Sequence, residues 1–455
     1  VATQTMTDTL THRKIFTFWA PLASTWLMMA AEGPYLAAII ARLDAPTINL
    51  AAFGVAFAFA IIIESPVIML MSASTALVED RESYQALRRF SYGLGVSLTL
   101  LQLVIVASPI FVSIASLLAL PPDVTTLARG GLLLMLPWPG AIAYRRFRQG
   151  VLIRNGFTRR VAYGTVIRLV AMSVTAWVLF QHTDLAGAYI GSLALSVAVI
   201  VEALASRVMT IDVLPNLLRR RREKSRLHSL RLSALWSFYA PLALTSFMAL
   251  ASQPTVTFFM GQSRYALESL AVLPVIQGLS FVFRAAGLSY LEVVIALLGP
   301  ERQNLAKIRN CACALGIGAA AGLSLIAFTP LAQVWFRDIS GLNEPLAQFA
   351  VVPIQILAIL PALSVLLAFE RGLLVHARRN AAITWATLVE LVTLTVVIGV
   401  AINMFDMVGA VAATTAILVG RVASTGWMAP ACFQVLRSTP PAATEIVTPP
   451  TPEAT

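Results

Sequence analysis

Charge is scarce in this sequence. Asp, Glu, Lys and Arg make up only 12% of its 455 residues, against 58% hydrophobic residues. With a mean hydropathy of +0.80, this excludes a soluble domain of ordinary composition and indicates an integral membrane protein. Cysteine is nearly absent too. Cys311, Cys313 and Cys432 fall inside apolar runs or at their ends, which argues against both a disulfide framework and a zinc site. The histidines, His12, His182, His228 and His376, sit in loops or at span ends and form no metal-ligand pair on one helix face. No GxxxxGK[ST] phosphate loop is present, so an ion gradient is a more natural energy source than ATP bound by this chain. No cofactor or metal is expected, although a coupling proton or sodium ion fits this composition.

What the chain has in abundance is long apolar runs, in place of the roughly ten-residue alternating segments of a membrane barrel. Crossing about 30 Å of hydrocarbon takes roughly 20 helical residues. Such spans are predicted at 15–41, 48–71, 90–120, 126–143, 163–180 and 185–208, and again at 235–260, 267–298, 311–334, 346–374, 381–404 and 407–436. The reading is an all-α polytopic protein with twelve transmembrane helices. Its expected parts are an N-terminal lead (1–14), a first bundle (15–210), a basic connector (211–234), a second bundle (235–437) and a disordered Pro/Thr-rich tail (438–455). The first apolar stretch is long enough to span, so it is expected to remain as the first helix and not to be cleaved as a signal peptide.

The net charge of +11 is sorted by loop and not gathered on one domain, which argues against nucleic acid as a partner. Arg13 and Lys14, Arg81, Arg88 and Arg89, the arginines from Arg145 to Arg160, the basic residues from Arg219 to Arg231, Arg302, Lys307 and Arg309, Arg371, Arg378 and Arg379, and Arg437 all fall at the termini or in even-numbered loops. The odd loops hold only Arg42, Arg129, Arg264 and Arg337. Because cytoplasmic loops retain positive charge, both termini are expected in the cytoplasm.

The two halves also repeat one another. Residues 18–34 laid on 238–254 match at Phe18, Ala20, Pro21, Leu22, Ala23, Thr25, Met28, Ala31 and Pro34. Arg159, Arg160, Ala162, Thr165, Leu169 and Val170 match Arg378, Arg379, Ala381, Thr384, Leu388 and Val389, and Pro139, Phe147, Gly150 and Leu152 match Pro361, Phe369, Gly372 and Leu374. Two six-helix bundles of one orientation, related by an axis along the membrane normal, enclose a cleft that rocking can open to either side. That geometry suits a transporter better than a membrane enzyme or scaffold.

Ionisable groups within spans normally face a cavity or a partner, since each costs roughly 2.5 to 3.5 kcal/mol on insertion scales. Glu32 precedes Gly33 and Pro34 in mid-span, where a broken helix would place free carbonyls beside a carboxylate; Gln253 and Pro254 are the equivalents in the second half. Glu64 lies in a Glu-Ser-Pro turn with Pro66, and the repeat makes it equivalent to Arg284. The two either meet across the cleft or pair within their own bundles. Arg168, Glu390 and Arg421 are further candidates, with Gln277 and Gln355 as polar neighbours and Pro361 as a second-half hinge. Buried arginines suit a carboxylate or phosphate, and an Arg421–Glu390 pair is the plainer alternative. Glu202 and Glu292 lie near expected cytoplasmic ends, within reach of water or an interfacial arginine. Glu370 aligns with Arg148 and is expected to snorkel to the interface.

The segments LAAFGVAFAFAIIIESP (50–66), SFYAPLAL (237–244) and VVPIQILAILP (351–361) resemble the progressive ankylosis protein family, which is grouped with MATE exporters and lipid flippases. The resemblance implies a V-shaped, MATE-like fold and export by alternating access. Members of that family are associated with outward movement of small organic anions such as citrate and nucleotides, whereas typical MATE proteins expel organic cations against protons or sodium. It also implies that Glu32 corresponds to the acidic ion-coupling position of MATE proteins, with Glu where Asp is usual, and that Gln355 stands where animal members have arginine. The expected function is therefore export of a small organic solute, an anion first and a cation or drug second. A flippase of lipid-linked precursors ranks lower. An Arg-rich, Lys-poor chain points to a bacterial inner membrane, where lipid is the surrounding partner and a complete cleft per chain permits a monomer.

Overall fold

The computed structural model describes residues 10–30, 32–40, 42–117, 120–219, 232–299, 301–340 and 342–437. The start of the N-terminal lead, half of the basic connector (220–231) and the Pro/Thr-rich tail lie outside these described residues.

The chain runs as helical rods. The first half holds α1 (His12–Ala30 and Glu32–Ile40), α2 (Pro46–Glu64 and Leu70–Leu77), α3 (Arg81–Ala107, then Ile110–Leu117), α4 (Pro122–Leu134 and Trp138–Arg154), α5 (Thr158–His182) and α6 (Gly187–Met209). A short helix, Leu214–Arg219, follows. The second half holds α7 (Leu232–Met260), α8 (Ala266–Leu288 and Tyr290–Leu297), α9 (Leu305–Ala327), α10 (Glu344–Phe349, Val351–Ile356, a 3₁₀ turn at Leu357–Ile359, and Leu360–His376), α11 (Asn380–Asn403) and α12 (Gly409–Arg437). Ten of these helices are long and apolar enough to cross a membrane. The two predicted spans outside that set are α1, one of whose residues is not described, and α4, whose second half is rich in arginine.

The segmentation follows the local chemistry. Proline lacks an amide proton and clashes with the preceding turn, so a helix carrying one in its interior bends or breaks. α2 gives way to a 3₁₀ turn at Ser65–Val67, α4 turns at residues 135–137 before Trp138-Pro139, and α10 passes through a 3₁₀ turn at Leu357–Ile359 before Pro361. The start of α3 is fixed by a capping box: Asp80 accepts from the Ser83 amide at 2.8 Å, and Ser83 Oγ accepts from the Asp80 amide at 3.0 Å.

The repeat seen in the sequence returns in the packing. A Cβ on Gly150 of α4 would lie 2.4 Å from Ser74 Cβ and 2.5 Å from the Met71 carbonyl oxygen of α2. On the equivalent Gly372 of α10 it would lie 2.6 Å from Val294 Cβ of α8. Both glycines let helix backbones cross at a distance no side chain permits, in the manner of small-residue crossings in membranes.

Among the described residues, the shared core of the two halves lies at one end. A buried apolar cluster containing Ile15, Phe18, Leu70, Tyr239, Tyr290 and Val294 runs through both bundles there. Two smaller clusters, around Val272 and Phe336 and around Val256 and Ile398, belong to the second bundle alone. At the joined end Trp19 Nε1 donates to the Ala286 carbonyl at 3.0 Å, Tyr239 donates its hydroxyl to the Pro66 carbonyl, and the Phe90 ring meets Tyr239 with centroids 5.1 Å apart. The Pro66 carbonyl, freed by the break in α2, is thus satisfied from the other bundle.

Candidate functional site

Between the bundles lies a cavity of about 380 Å³. The first bundle contributes Trp26, Met71, Ser72 and Arg146 to its wall; the second contributes Gln253, Arg284, Glu292, Arg371, Glu390 and Arg421. Four guanidiniums therefore face two carboxylates. One carboxylate is already engaged, because Arg421 Nη2 lies 3.1 Å from Glu390 Oε1. The other, Glu292, accepts a hydrogen bond from Ser72 Oγ at 3.0 Å, across the bundle interface.

Arg146, Arg284 and Arg371 form no ion pair among the described residues. Arg284 Nε lies 3.3 Å from Ser364 Oγ, Arg371 Nη2 lies 3.0 Å from Thr387 Oγ1, and Arg146 Nη1 has only the Met71 sulfur at 3.7 Å. The Nε atoms of Arg146 and Arg371 are buried without a hydrogen-bond partner. Such cations line a site able to accept negative charge, since a guanidinium offers a planar fork of donors to a carboxylate or phosphate.

Behind Arg146, inside the first bundle, is a second polar centre. Arg168 of α5 donates to Glu32 of α1, and its Nε lies 3.4 Å from Glu202 Oε2 of α6. Arg145 of α4 reaches the same Glu202 oxygen at 2.5 Å, while Gln149 Nε2 donates to the other at 3.0 Å. Glu64 accepts from the Trp138 indole. Glu202 is 0% exposed, Arg145 2% and Arg168 3%, so these charges depend on one another.

Three expectations are corrected here. Arg145, Arg146 and Arg148 were placed in a cytoplasmic loop, and so was Arg371; all four are inside helices, because α4 and α10 continue to Arg154 and His376. Their charge is tolerated where partners come from distant sequence, as with Arg145 on Glu202 and Arg148 on Thr210 Oγ1 at 2.5 Å. Glu370 does not snorkel to an interface; it is 7% exposed, carried inward by the same continuation of α10. Glu202 does meet an arginine, but in the bundle interior and not at a wet helix end.

Glu64 and Arg284 do not meet in this structure, each being bonded within its own bundle. Of the remaining candidates, Gln253 lines the cavity and lies 3.3 Å from Gln277 of α8. Gln277 and Gln355 are not in the cavity wall; Gln355 donates to the Ala327 carbonyl at 3.1 Å. Pro66 and Pro361 sit at or beside real helix interruptions, and Gly33 and Pro34 lie at the start of the second segment of α1, whereas Pro254 lies inside an unbroken α7. Sequence reading missed Arg145, Arg146, Gln149 and Arg371. The available signal was the match of Phe147 and Gly150 to Phe369 and Gly372, which marks both stretches as helix and not loop.

Outside the spans, Asp212 receives both terminal nitrogens of Arg160, at 2.6 and 2.7 Å. That fork holds the Asp212 carboxyl below the usual carboxylate range.

No protein-family profile matches the sequence, and no curated protein matches it. Solved structures do match. The Vibrio cholerae MATE transporter VcmN in its bent form superposes with a TM-score of 0.74 at 16% identity, covering 93% of this chain and 97% of that one. The eukaryotic MATE transporter AtDTX14 gives 0.69 at 14% identity, with 93% and 96% covered. A MOP superfamily transporter from Pyrococcus furiosus, described as having a binding pocket of reverse polarity, gives 0.73 at 13% identity, with 94% and 97% covered. Over nearly its whole length, the chain has the fold of the MATE transporters.

Proposed function

We propose that this protein is a secondary transporter that exports a small organic anion by alternating access through the cleft between its bundles. The observation that carries the reading is the charge balance of the cavity wall. Among the described residues Arg284 and Arg371 have no carboxylate partner there, Glu390 is held by Arg421, and Arg146, whose charge the carboxylates of the first bundle balance, faces them across the cleft. An anion spanning the cleft would bind arginines from both bundles, so its presence would favour the rocking motion that carries it across. Carboxylates of the citrate or malate type and nucleotides are the compounds to test first, in keeping with the resemblance to the progressive ankylosis family.

With basic loops taken as cytoplasmic, the joined end lies on the cytoplasmic side and the cleft faces outward. We place the protein in a bacterial inner membrane as a monomer, each chain holding a full cleft. The MATE fold itself supports a second reading, proton- or sodium-coupled export of organic cations. That reading needs a free carboxylate in the wall, and Glu292 is the candidate. A flippase for lipid-linked precursors fits poorly with a cavity of about 380 Å³.

The test is flux from proteoliposomes loaded with radiolabelled citrate, malate or a nucleotide. Efflux that is lost in both Arg284→Ala and Arg371→Ala supports the anion reading. Efflux of organic cations alone, insensitive to both substitutions but lost in Glu292→Gln, would replace it with the second.

A further inference from the structure

Glu32 is the residue that a coupling proton or sodium ion would be expected to use, and its carboxylate is already occupied. Arg168 donates to it from α5 while remaining within 3.4 Å of Glu202. The wider centre holds three carboxylates, Glu32, Glu64 and Glu202, and three guanidiniums, Arg145, Arg146 and Arg168. Its formal charge is zero with no ion added. Both oxygens of Glu202 are engaged, one by Arg145 and one by Gln149, and Glu64 is engaged by the Trp138 indole.

We propose that Arg168 is a tethered counter-cation which takes the place of an exchangeable ion at Glu32, so the first bundle carries no coupling proton or sodium ion. Two physical points support this. A free cation entering the centre must displace a guanidinium that is covalently tethered, which pays almost none of the translational entropy that a bound ion loses. A proton added to Glu32 would leave an uncompensated positive charge among three arginines, in a region with little water to screen it. Arg168 is thus a positioning residue that sets ion dependence without touching substrate.

The consequence concerns the energy source. A carrier that moves an organic anion with no co-ion in either bundle moves net charge, so the inside-negative membrane potential itself drives anion export. This rests on the proposed function for the direction of flow. The role of Arg168 does not, and it can be tested with no substrate present.

Purified protein is melted in sodium and in choline buffers of equal ionic strength, at several pH values. The wild type is expected to show no difference between sodium and choline. Arg168→Met exposes the Glu32 carboxylate and is expected to gain a response that the wild type lacks: a rise of several degrees in sodium, or a new rise as pH falls. That response should disappear in the double variant Arg168→Met/Glu32→Gln. A response to neither ion in well-folded Arg168→Met would overturn the proposal. Should Arg168→Met not fold, radioactive sodium binding and proton uptake on the wild type decide. Uptake of either ion that is abolished by Glu32→Gln overturns it, and no uptake attributable to Glu32 supports it.

Discussion

Glu202 of α6 and Arg421 of α12 occupy equivalent places in the two halves and carry opposite charge. The alignment that lays Arg159 and Arg160 on Arg378 and Arg379 also lays Glu202 on Arg421. Each pairs with the preceding long helix of its own bundle, Glu202 with Arg168 at 3.4 Å and Arg421 with Glu390 at 3.1 Å. The fold therefore keeps an ion pair at this place while the sequence reverses its sense. Glu64 and Arg284 are reversed in the same way, and Gln149 corresponds to Arg371 in the match of Gly150 to Gly372. The outcome is a first bundle whose central cluster of Glu32, Glu64, Glu202, Arg145, Arg146 and Arg168 is balanced, and a second whose wall has positive charge to spare.

In the second bundle, Glu390 competes with any bound anion for Arg421. Glu390→Gln is expected to tighten binding of a multiply charged carboxylate by roughly 3- to 10-fold, tenfold corresponding to about 1.4 kcal/mol. Isothermal titration with the wild type and the variant checks this. Weaker binding in Glu390→Gln would show that the carboxylate serves the ligand and not the empty state.

In the first bundle, breaking a buried pair from one side leaves a charge stranded. Glu202→Leu or Arg145→Met alone is expected to cost about 3 to 5 kcal/mol, whereas the double variant recovers most of that loss. Thermal unfolding of all four proteins in detergent supplies the cycle. Two additive losses would mean that the pair is not energetically coupled.

The helix crossings at Gly150 and Gly372 allow a sharper test of the repeat. Gly150→Val and Gly372→Val would each put a Cβ less than 3 Å from the facing helix, force the helices apart and should lower the melting temperature markedly. Gly33→Ala is the control, since a Cβ there meets nothing within 4 Å. Equal effects at all three would rule out the crossings as special points of packing.

Sealing of the joined end depends on few polar contacts. Tyr239→Phe removes the hydrogen bond to the Pro66 carbonyl, and Ser72→Ala removes the one to Glu292. The double variant should shift the population toward a state open at this end. Labelling of a cysteine introduced at Phe18 reads this out in a background lacking the native cysteines, with faster labelling in the variant than in the parent. Unchanged labelling would mean that apolar packing alone holds the seal.

Much of the fold was legible because its signals are local. Apolar runs mark spans, and the prolines at 66, 139 and 361 mark interruptions through a missing donor that any reader of the sequence can see. The duplication was legible because Pro21, Gly150 and their counterparts perform the same backbone tasks twice. The charge network was not, because its partners are remote: Arg145 meets Glu202, and Glu32 meets Arg168, only after helices from across the bundle assemble. A run such as Arg145-Arg146-Phe147-Arg148 reads as loop until its carboxylates are found, and their depth depends on where α4 ends. The choice left open for Glu64 and Arg284, to meet across the cleft or to pair within their own bundles, illustrates the same limit, since equivalence in a repeat fixes depth but not the direction in which a side chain points.

The most direct measurement is anion binding to the cleft. Purified protein is melted with citrate, malate, nucleotides and organic cations under constant counter-ions, for the wild type, Arg284→Ala and Arg371→Ala; a ligand at about 100 times its Kd adds about 2.7 kcal/mol of apparent stability. The expected result is stabilisation by a carboxylate or phosphate compound that both substitutions abolish. Stabilisation by organic cations alone, retained in both variants, would contradict an anion site in this cleft.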